Sequence, residues 1–198
     1  MIKRLAPIFV ICLIMAGVHI VNMLSGGSLS AFGVHPRELS SIPAIAAAPW
    51  LHGDVMHLVN NLIVFAVLGS VCMVYGLRHF IVASLQIIAI SGLCVWLFGR
   101  DGLHLGASGW IFGLWALIIA MAWFERSIRN IAIAIIIIAL YGTMIFGLLP
   151  TDRFISFEAH IFGALGGVFA AWRLTKAPDL QLAVKPARSR ETDLKFWS

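Results

Sequence analysis

The pattern of apolar and polar positions along this chain is one of long apolar runs separated by short polar breaks. Six stretches stand out, at approximately 5–24, 55–75, 80–98, 108–124, 129–149 and 157–174. Each reaches or approaches the roughly 20 residues a helix needs to cross a hydrocarbon core of roughly 30 Å. In lipid a backbone must satisfy its own hydrogen bonds, so apolar runs of this length predict helices. The predicted architecture is therefore an all-α membrane protein, a bundle of six transmembrane helices. Most connections are short, which makes successive helices neighbours. The exception is 25–51, which opens polar and glycine-rich, holds Pro36, Pro43 and Pro49, and turns apolar from Ile42 to Trp50. It predicts a loop lying partly in the interface, with Trp50 as an anchor. Ile131–Ile138 is almost wholly aliphatic and predicts a lipid-facing helix surface.

Composition agrees with this picture. Of 198 residues 61% are hydrophobic and 12% charged, and the mean hydropathy is +0.96; a soluble surface needs more charge. Charge placement adds a topology. With the N-terminus in the cytoplasm, the inner segments carry Lys3, Arg4, Arg78, Arg126, Arg129, Arg173, Lys176, Lys185, Arg188, Arg190 and Lys195. The outer ones carry Arg37, Arg100 and Arg153. That asymmetry follows the positive-inside rule and requires an even number of spans, so both termini are expected to be cytoplasmic. The net charge of +5 is then a topology signal rather than a nucleic-acid footprint, and the lipid bilayer is the partner it implies. The first run is longer than a signal-peptide core of about 7–15 residues, which predicts a retained span. The domain reading is one membrane domain over 1–175 and a basic cytoplasmic tail over 176–198, able to touch anionic lipid heads. Cys12, Cys72 and Cys94 lie singly within spans and read as small core residues.

Polar side chains inside such runs are costly and call for a reason. Ser108, in Gly106-Ala107-Ser108-Gly109, begins the fourth run, and no charge follows between Trp110 and Trp123. His160 lies near the start of the sixth. Both fall at the same expected side of the membrane, where they can act as nucleophile and base. Gly109 with Gly113, and Gly163 with Gly167, have the small-xxx-small spacing that lets two helices approach closely. Gly106 permits a tight entry into the helix. Phe112, one turn after Ser108, is placed to lie against the His160 ring or simply to pack. Asp54, Asp101, Asp152 and Glu158 offer no evident third member, so the expectation is a Ser108/His160 dyad with the imidazole oriented by packing.

The second run opens His52-Gly53-Asp54-Val55-Met56-His57-Leu58-Val59-Asn60-Asn61. His57 and Asn61, four apart, share a helix face, whereas Asn60 is turned about 100° away. Their N–H groups suit an oxyanion, as do backbone N–H groups at the start of the Ser108 helix. A zinc helix needs histidines four apart with a glutamate between. His52 and His57 are five apart and lack that glutamate, so no metal is expected.

These elements resemble the rhomboid intramembrane serine proteases: His52-x4-His57-x3-Asn61 in the second span, Gly106-Ala107-Ser108-Gly109 at the fourth, and His160-x2-Gly163-x3-Gly167 in the sixth. The resemblance implies a serine endopeptidase that cleaves transmembrane segments of single-span or polytopic membrane proteins through an acyl-enzyme. It implies catalysis by Ser108 and His160, with His57, Asn61 and the backbone N–H groups near Ala107 and Ser108 as the oxyanion hole. His52, Gly106, Gly109, Phe112, Gly163 and Gly167 support them. The embedded first loop would be 25–51. Substrate entry would be gated by the outer loop near Asp152–Phe157 and by the fifth span. No cofactor, metal or nucleic acid is implied. The six-span form is the minimal prokaryotic type, expected in a bacterial inner membrane with the site opening to the outer face. Phe112 stands where the family often has Tyr, and the first loop lacks a Trp-Arg pair found in some bacterial members. Ile111-Phe112-Gly113 lacks the histidine of sorting-type relatives. The alternative function is a catalytically silent rhomboid-like protein that binds transmembrane clients. A small transporter would show charges within spans or broken helices at matching positions, and neither pattern occurs.

Overall fold

The computed structural model describes residues 2–150 and 155–176, with side chains from Leu5 onward. Helices α1 (Ile2–Leu24), α3 (Val55–Cys72), α4 (Leu77–Phe98), α5 (Ser108–Glu125), α6 (Ile128–Tyr141) and α7 (Phe157–Lys176) form the bundle. The four-residue α2 (Ala44–Ala47) lies in the loop between α1 and α3. Among the described residues, five segments are long and apolar enough to cross a membrane, corresponding to α1, α3, α4, α5 and α6 with its extension. Helix α7, expected as a sixth span, is not among them; it has comparable length but carries Glu158, His160, Arg173 and Lys176. Of the expected tail 176–198, Lys176 ends α7, while 177–198 and the outer-loop residues 151–154 lie outside the described residues.

Two expected runs are subdivided. The run 55–75 is α-helical to Cys72 and 3-10 over Met73–Tyr75. The run 129–149 is α-helical only to Tyr141, then 3-10 over Gly142–Leu148. Hydropathy does not distinguish the two helix types, because both bury and expose apolar residues alike. The loop 25–51 is likewise a chain of short helical turns.

Helix α5 is the axis of the molecule. It packs along α7, which also lies against α4, while α3, α4 and α6 flank α5 and α1 covers α3. Lipid tails are as apolar as leucine, so this arrangement must be held by close packing and polar contacts. The two glycine pairs supply the packing. A Cβ on Gly163 would sit 2.0 Å from the carbonyl oxygen of Gly109, and one on Gly167 would sit 2.0 Å from that of Gly113. The two backbones therefore touch, and no side chain fits between them. Around this seam Phe65 of α3, Phe80 of α4 and Trp110 of α5 form an aromatic layer, with Phe65 and Trp110 edge-on at 4.5 Å. Trp110 donates its indole N–H to Ser84 Oγ at 3.0 Å, satisfying a buried donor.

The 25–51 loop is tied to the bundle by backbone. Val34 and His104 exchange both N–H···O bonds, at 2.8 and 2.9 Å. Arg37 donates to the Gly99 carbonyl at 2.7 Å and pairs with Asp101. Phe32, Leu39 and Ile42 remain exposed, as a loop seated in an interface requires. Trp50 is half-buried, edge-on to Trp110 at 6.0 Å, so it ties the loop to the core as well as facing outward.

Candidate active site

The start of α3 is fixed by Asp54. In extended conformation ahead of the helix, its carboxylate accepts the N–H of His57 at 2.8 Å, the usual N-cap arrangement. That bond holds the Asp54 carboxyl below its ordinary range. His57 thus lies in the first turn, with Asn61 one turn deeper on the same face. His52, just before the helix, is fully buried, and its ring meets that of His57 edge-on at 5.2 Å. Burial first, then the neighbouring His57 and His19, lowers its pKa to about 4. It is neutral at pH 7 and puts no charge behind His57. Among the described residues no group of His, Cys, Asp and Glu is placed to hold a metal ion.

The segment entering α5 comes to His57 and Asn61. Gly106 has φ +119°, in the region that favours glycine. A Cβ there would lie 2.7 Å from both Cε1 and Nε2 of His57 and 3.6 Å from Nδ2 of Asn61. Gly106 is held by its N–H, which donates to the Ala48 carbonyl at 2.9 Å. Two residues on, Ser108 is the first residue of α5, and Ala107 before it is fully buried. The first N–H groups of a helix have no intrahelical acceptor, so the amides of Ser108 and the next two residues are the candidate donors, the Ile111 N–H already bonding the Ala107 carbonyl at 2.9 Å. Asn61 Nδ2 is buried and has no hydrogen-bond partner among the described residues.

His160 lies in the first turn of α7, buried. Its ring stacks on that of Phe112, centroids 4.0 Å apart and planes within 6°. Its Nδ1 is 2.8 Å from the Gly147 carbonyl oxygen, near the end of the 3-10 segment that follows α6. A carbonyl only accepts, so Nδ1 carries the hydrogen, and the neutral ring then has its lone pair on Nε2. The imidazole is thus oriented by packing and also by a specific acceptor.

Ser108, His160, His57, Asn61 and Phe112 all line one cavity of about 870 Å³. Asn60, expected to face another neighbour, reaches the same cavity from its exposed rim. Gly109, Gly163 and Gly167 lie behind, at the seam with α7. Glu158 is turned elsewhere, toward Arg100 at 3.3 Å.

Sequence reasoning missed several positioning contacts. Arg100 bonds Glu158 through its backbone N–H as well as its guanidinium, donates to the Ile155 carbonyl, and lies over the Phe157 ring at 5.2 Å. His104 Nε2 donates to the Arg100 carbonyl at 2.9 Å, leaving Nδ1 to accept the Ser156 hydroxyl at 2.6 Å. Ser156 Oγ accepts in turn from the Ala159 N–H at 3.3 Å, capping the start of α7. These bonds join the loop that delivers Ser108 to the loop that delivers His160. Ser156 three residues before Ala159 is the capping signal that could have been read; the cross-loop pairings have no sequence signature.

Helices that suit a membrane, with a serine and a histidine sharing a cavity near helix starts, define an integral membrane protein with a candidate hydrolytic site. Over residues 40–177, more than half of its length, the chain matches the family model described as Rhomboid domain, and it belongs to the rhomboid family. It is 32% identical over 182 residues to an uncharacterized protein of Mycobacterium tuberculosis, covering 87% of this chain and 76% of that one. An uncharacterized protein of Mycobacterium leprae is 30% identical over 187 residues, covering 90% of this chain and 74% of the relative. The rhomboid family consists generally of intramembrane serine proteases.

Proposed function

We propose that this protein is an intramembrane serine endopeptidase acting on transmembrane segments of other membrane proteins. The observation that carries the reading is the state of His160. Its Nδ1–H is committed to the Gly147 carbonyl, which leaves a basic Nε2 on a ring that borders the same cavity as Ser108. A general base needs that tautomer. In the reaction His160 Nε2 takes the Ser108 proton as Oγ attacks the scissile carbonyl, forming a tetrahedral oxyanion. Asn61 Nδ2, the His57 ring and the first N–H groups of α5 receive that charge; a buried donor without an acceptor is what such a site holds ready. His160 returns the proton to the leaving amine, and the acyl-enzyme on Ser108 is hydrolysed by water with His160 again as base. No metal or organic cofactor enters any step.

The substrate segment must unwind near its outer end before its carbonyl can reach Ser108. We further propose six crossings, with α7 as the sixth, both termini in the cytoplasm and the site open to the outer face of a bacterial inner membrane. The charge asymmetry supports this orientation. The mycobacterial relatives support the bacterial setting.

The test uses purified protein in bilayers, a fluorescent single-span substrate and a fluorophosphonate probe. Wild type should cleave the substrate and be labelled at Ser108. Ser108→Ala and His160→Ala should each lose about 10³-fold or more in cleavage. A folded wild type that neither cleaves nor labels would reject the protease reading in favour of client binding.

A further inference from the structure

Among the described residues no acid bonds His160, and the acceptor that orients it comes from an unexpected place. The segment Gly142–Leu148 has no buried residue among its seven, and the span it completes is the least enclosed of the five, 11% of its most apolar stretch being buried. Yet its Gly147 carbonyl holds His160 Nδ1 at 2.8 Å. The same residue crowds the other ring of the stack. A Cβ on Gly147 would lie 2.7 Å from Phe112 Cζ and 3.4 Å from His160 Nδ1. Three groups therefore meet at one point: a carbonyl oxygen, the edge of Phe112 and the N–H edge of the imidazole. Only a residue without a side chain can present its carbonyl there while the rings stay stacked. Phe112 belongs to the arrangement, because its Cζ is the ring atom nearest the Gly147 position and carries no substituent.

We propose that Gly147 is a positioning residue that takes the place of the acid in a catalytic triad. Its peptide carbonyl selects the Nδ1–H form of His160 and fixes the ring plane, and the residue must be glycine because Phe112 fills the remaining space. A corollary follows from where that carbonyl sits. The base is set by the least buried part of the bundle, so His160 is oriented only while residues 142–148 are docked against Phe112. This inference rests on His160 being the general base.

The experiment compares wild type, Gly147→Ala, Phe112→Leu and the double variant in bilayers. Three readouts are taken: the ¹⁵N shifts of the His160 ring, the rate of fluorophosphonate labelling at Ser108, and kcat and KM on the single-span substrate. Wild type should show His160 with a protonated Nδ1 and an unprotonated Nε2. Gly147→Ala should lose that signature and lower kcat roughly 10- to 100-fold with KM changed less than about 3-fold. Phe112→Leu removes the atom that the new methyl meets, so the double variant should regain the Nδ1–H signature and reach the kcat of Phe112→Leu alone. Should Gly147→Ala fail to fold, an ester in place of the Gly147–Leu148 amide weakens the acceptor without adding an atom beside the rings. The ester should shift the His160 signals and slow labelling. Wild-type ¹⁵N shifts and labelling rates in Gly147→Ala or the ester variant would overturn the proposal. So would a double variant that stays as far below Phe112→Leu as Gly147→Ala stays below wild type. Failure of wild type itself to label would instead reject the protease reading.

Discussion

Helices α5 and α6 are adjacent, similarly apolar, and held in opposite ways. In α5 67% of the most apolar stretch is buried; in the span built from α6 the share is 11%. The first presses its backbone directly on α7 through Gly109 and Gly113, and it bears Ser108 at its start. The second is secured mainly at one end. There Asn130, fully buried, accepts the Tyr75 hydroxyl at 3.2 Å and donates to Glu125 at 2.5 Å. At the other end α6 gives way to the 3-10 segment, while Ile135, Ile136 and Leu140 point outward along its length. Under the proposed protease reading, the difference separates two needs of a site inside a membrane. The nucleophile requires a fixed frame, and close backbone packing provides one that lipid cannot dissolve. The entrance needs an element whose displacement uncovers little packed surface.

The seam offers the largest perturbation. Gly163→Val would place its branched side chain against the Gly109 carbonyl and force α5 from α7. The expected cost is about 3 kcal/mol, with loss of cleavage, read by unfolding in mixed micelles and by the substrate assay. A tolerated valine would mean that the frame is not rigid. Asn130→Ala attacks the foot of α6 and leaves the buried Tyr75 hydroxyl and Glu125 without this partner, at about 1–3 kcal/mol. Fluorophosphonate labelling should nevertheless stay within about 3-fold of wild type, since Ser108 and its cavity lie at the far end. Labelling that collapsed with Asn130→Ala would show that the two helices are not independently held.

Acid provides a third perturbation, on the side of α3. His52 has a folded pKa of about 4 against an ordinary 6.5. Between these values the unfolded chain takes a proton that the folded one refuses. Its contribution to stability is present above pH 6.5 and is lost as pH falls toward 4. Melting curves at pH 7.5 and 4.5 should therefore differ more for wild type than for His52→Asn. Equal acid sensitivity of the two proteins would place the titrating group elsewhere. The smallest effect belongs to the outer face of α6: Ile135→Ala should change stability by no more than about 0.5 kcal/mol. A larger loss would mean that this face is packed against something besides lipid.

Much of this contrast is legible in the amino-acid sequence. Glycines at 109 and 113, and at 163 and 167, announce a close approach because four-residue spacing stacks them on one helix face. A serine and a histidine near the starts of apolar runs stand out because lipid penalises them. His57 and Asn61 share a face by helical arithmetic alone. What escaped the reading has no residue-type signature. A backbone carbonyl such as that of Gly147 is the same in every residue, so its bond to His160 could not be foreseen. Arg100 with Glu158, and His104 with Ser156, are ordinary loop and helix-start residues more than fifty positions apart. The break between α6 and its 3-10 extension was hidden because hydropathy does not encode helix pitch.

The stacking of His160 on Phe112 has a magnetic consequence. An imidazole held 4.0 Å above a benzene ring and nearly parallel to it lies within that ring's diamagnetic shielding cone. The carbon-bound protons of His160 should therefore resonate upfield of those of unstacked histidines, and the displacement should fade as the inter-ring distance grows. The chain has seven histidines, and this shielding makes one of them recognisable by its spectrum. The candidate base thus carries an intrinsic reporter of whether its site is assembled, readable in a bilayer without a label or a substrate.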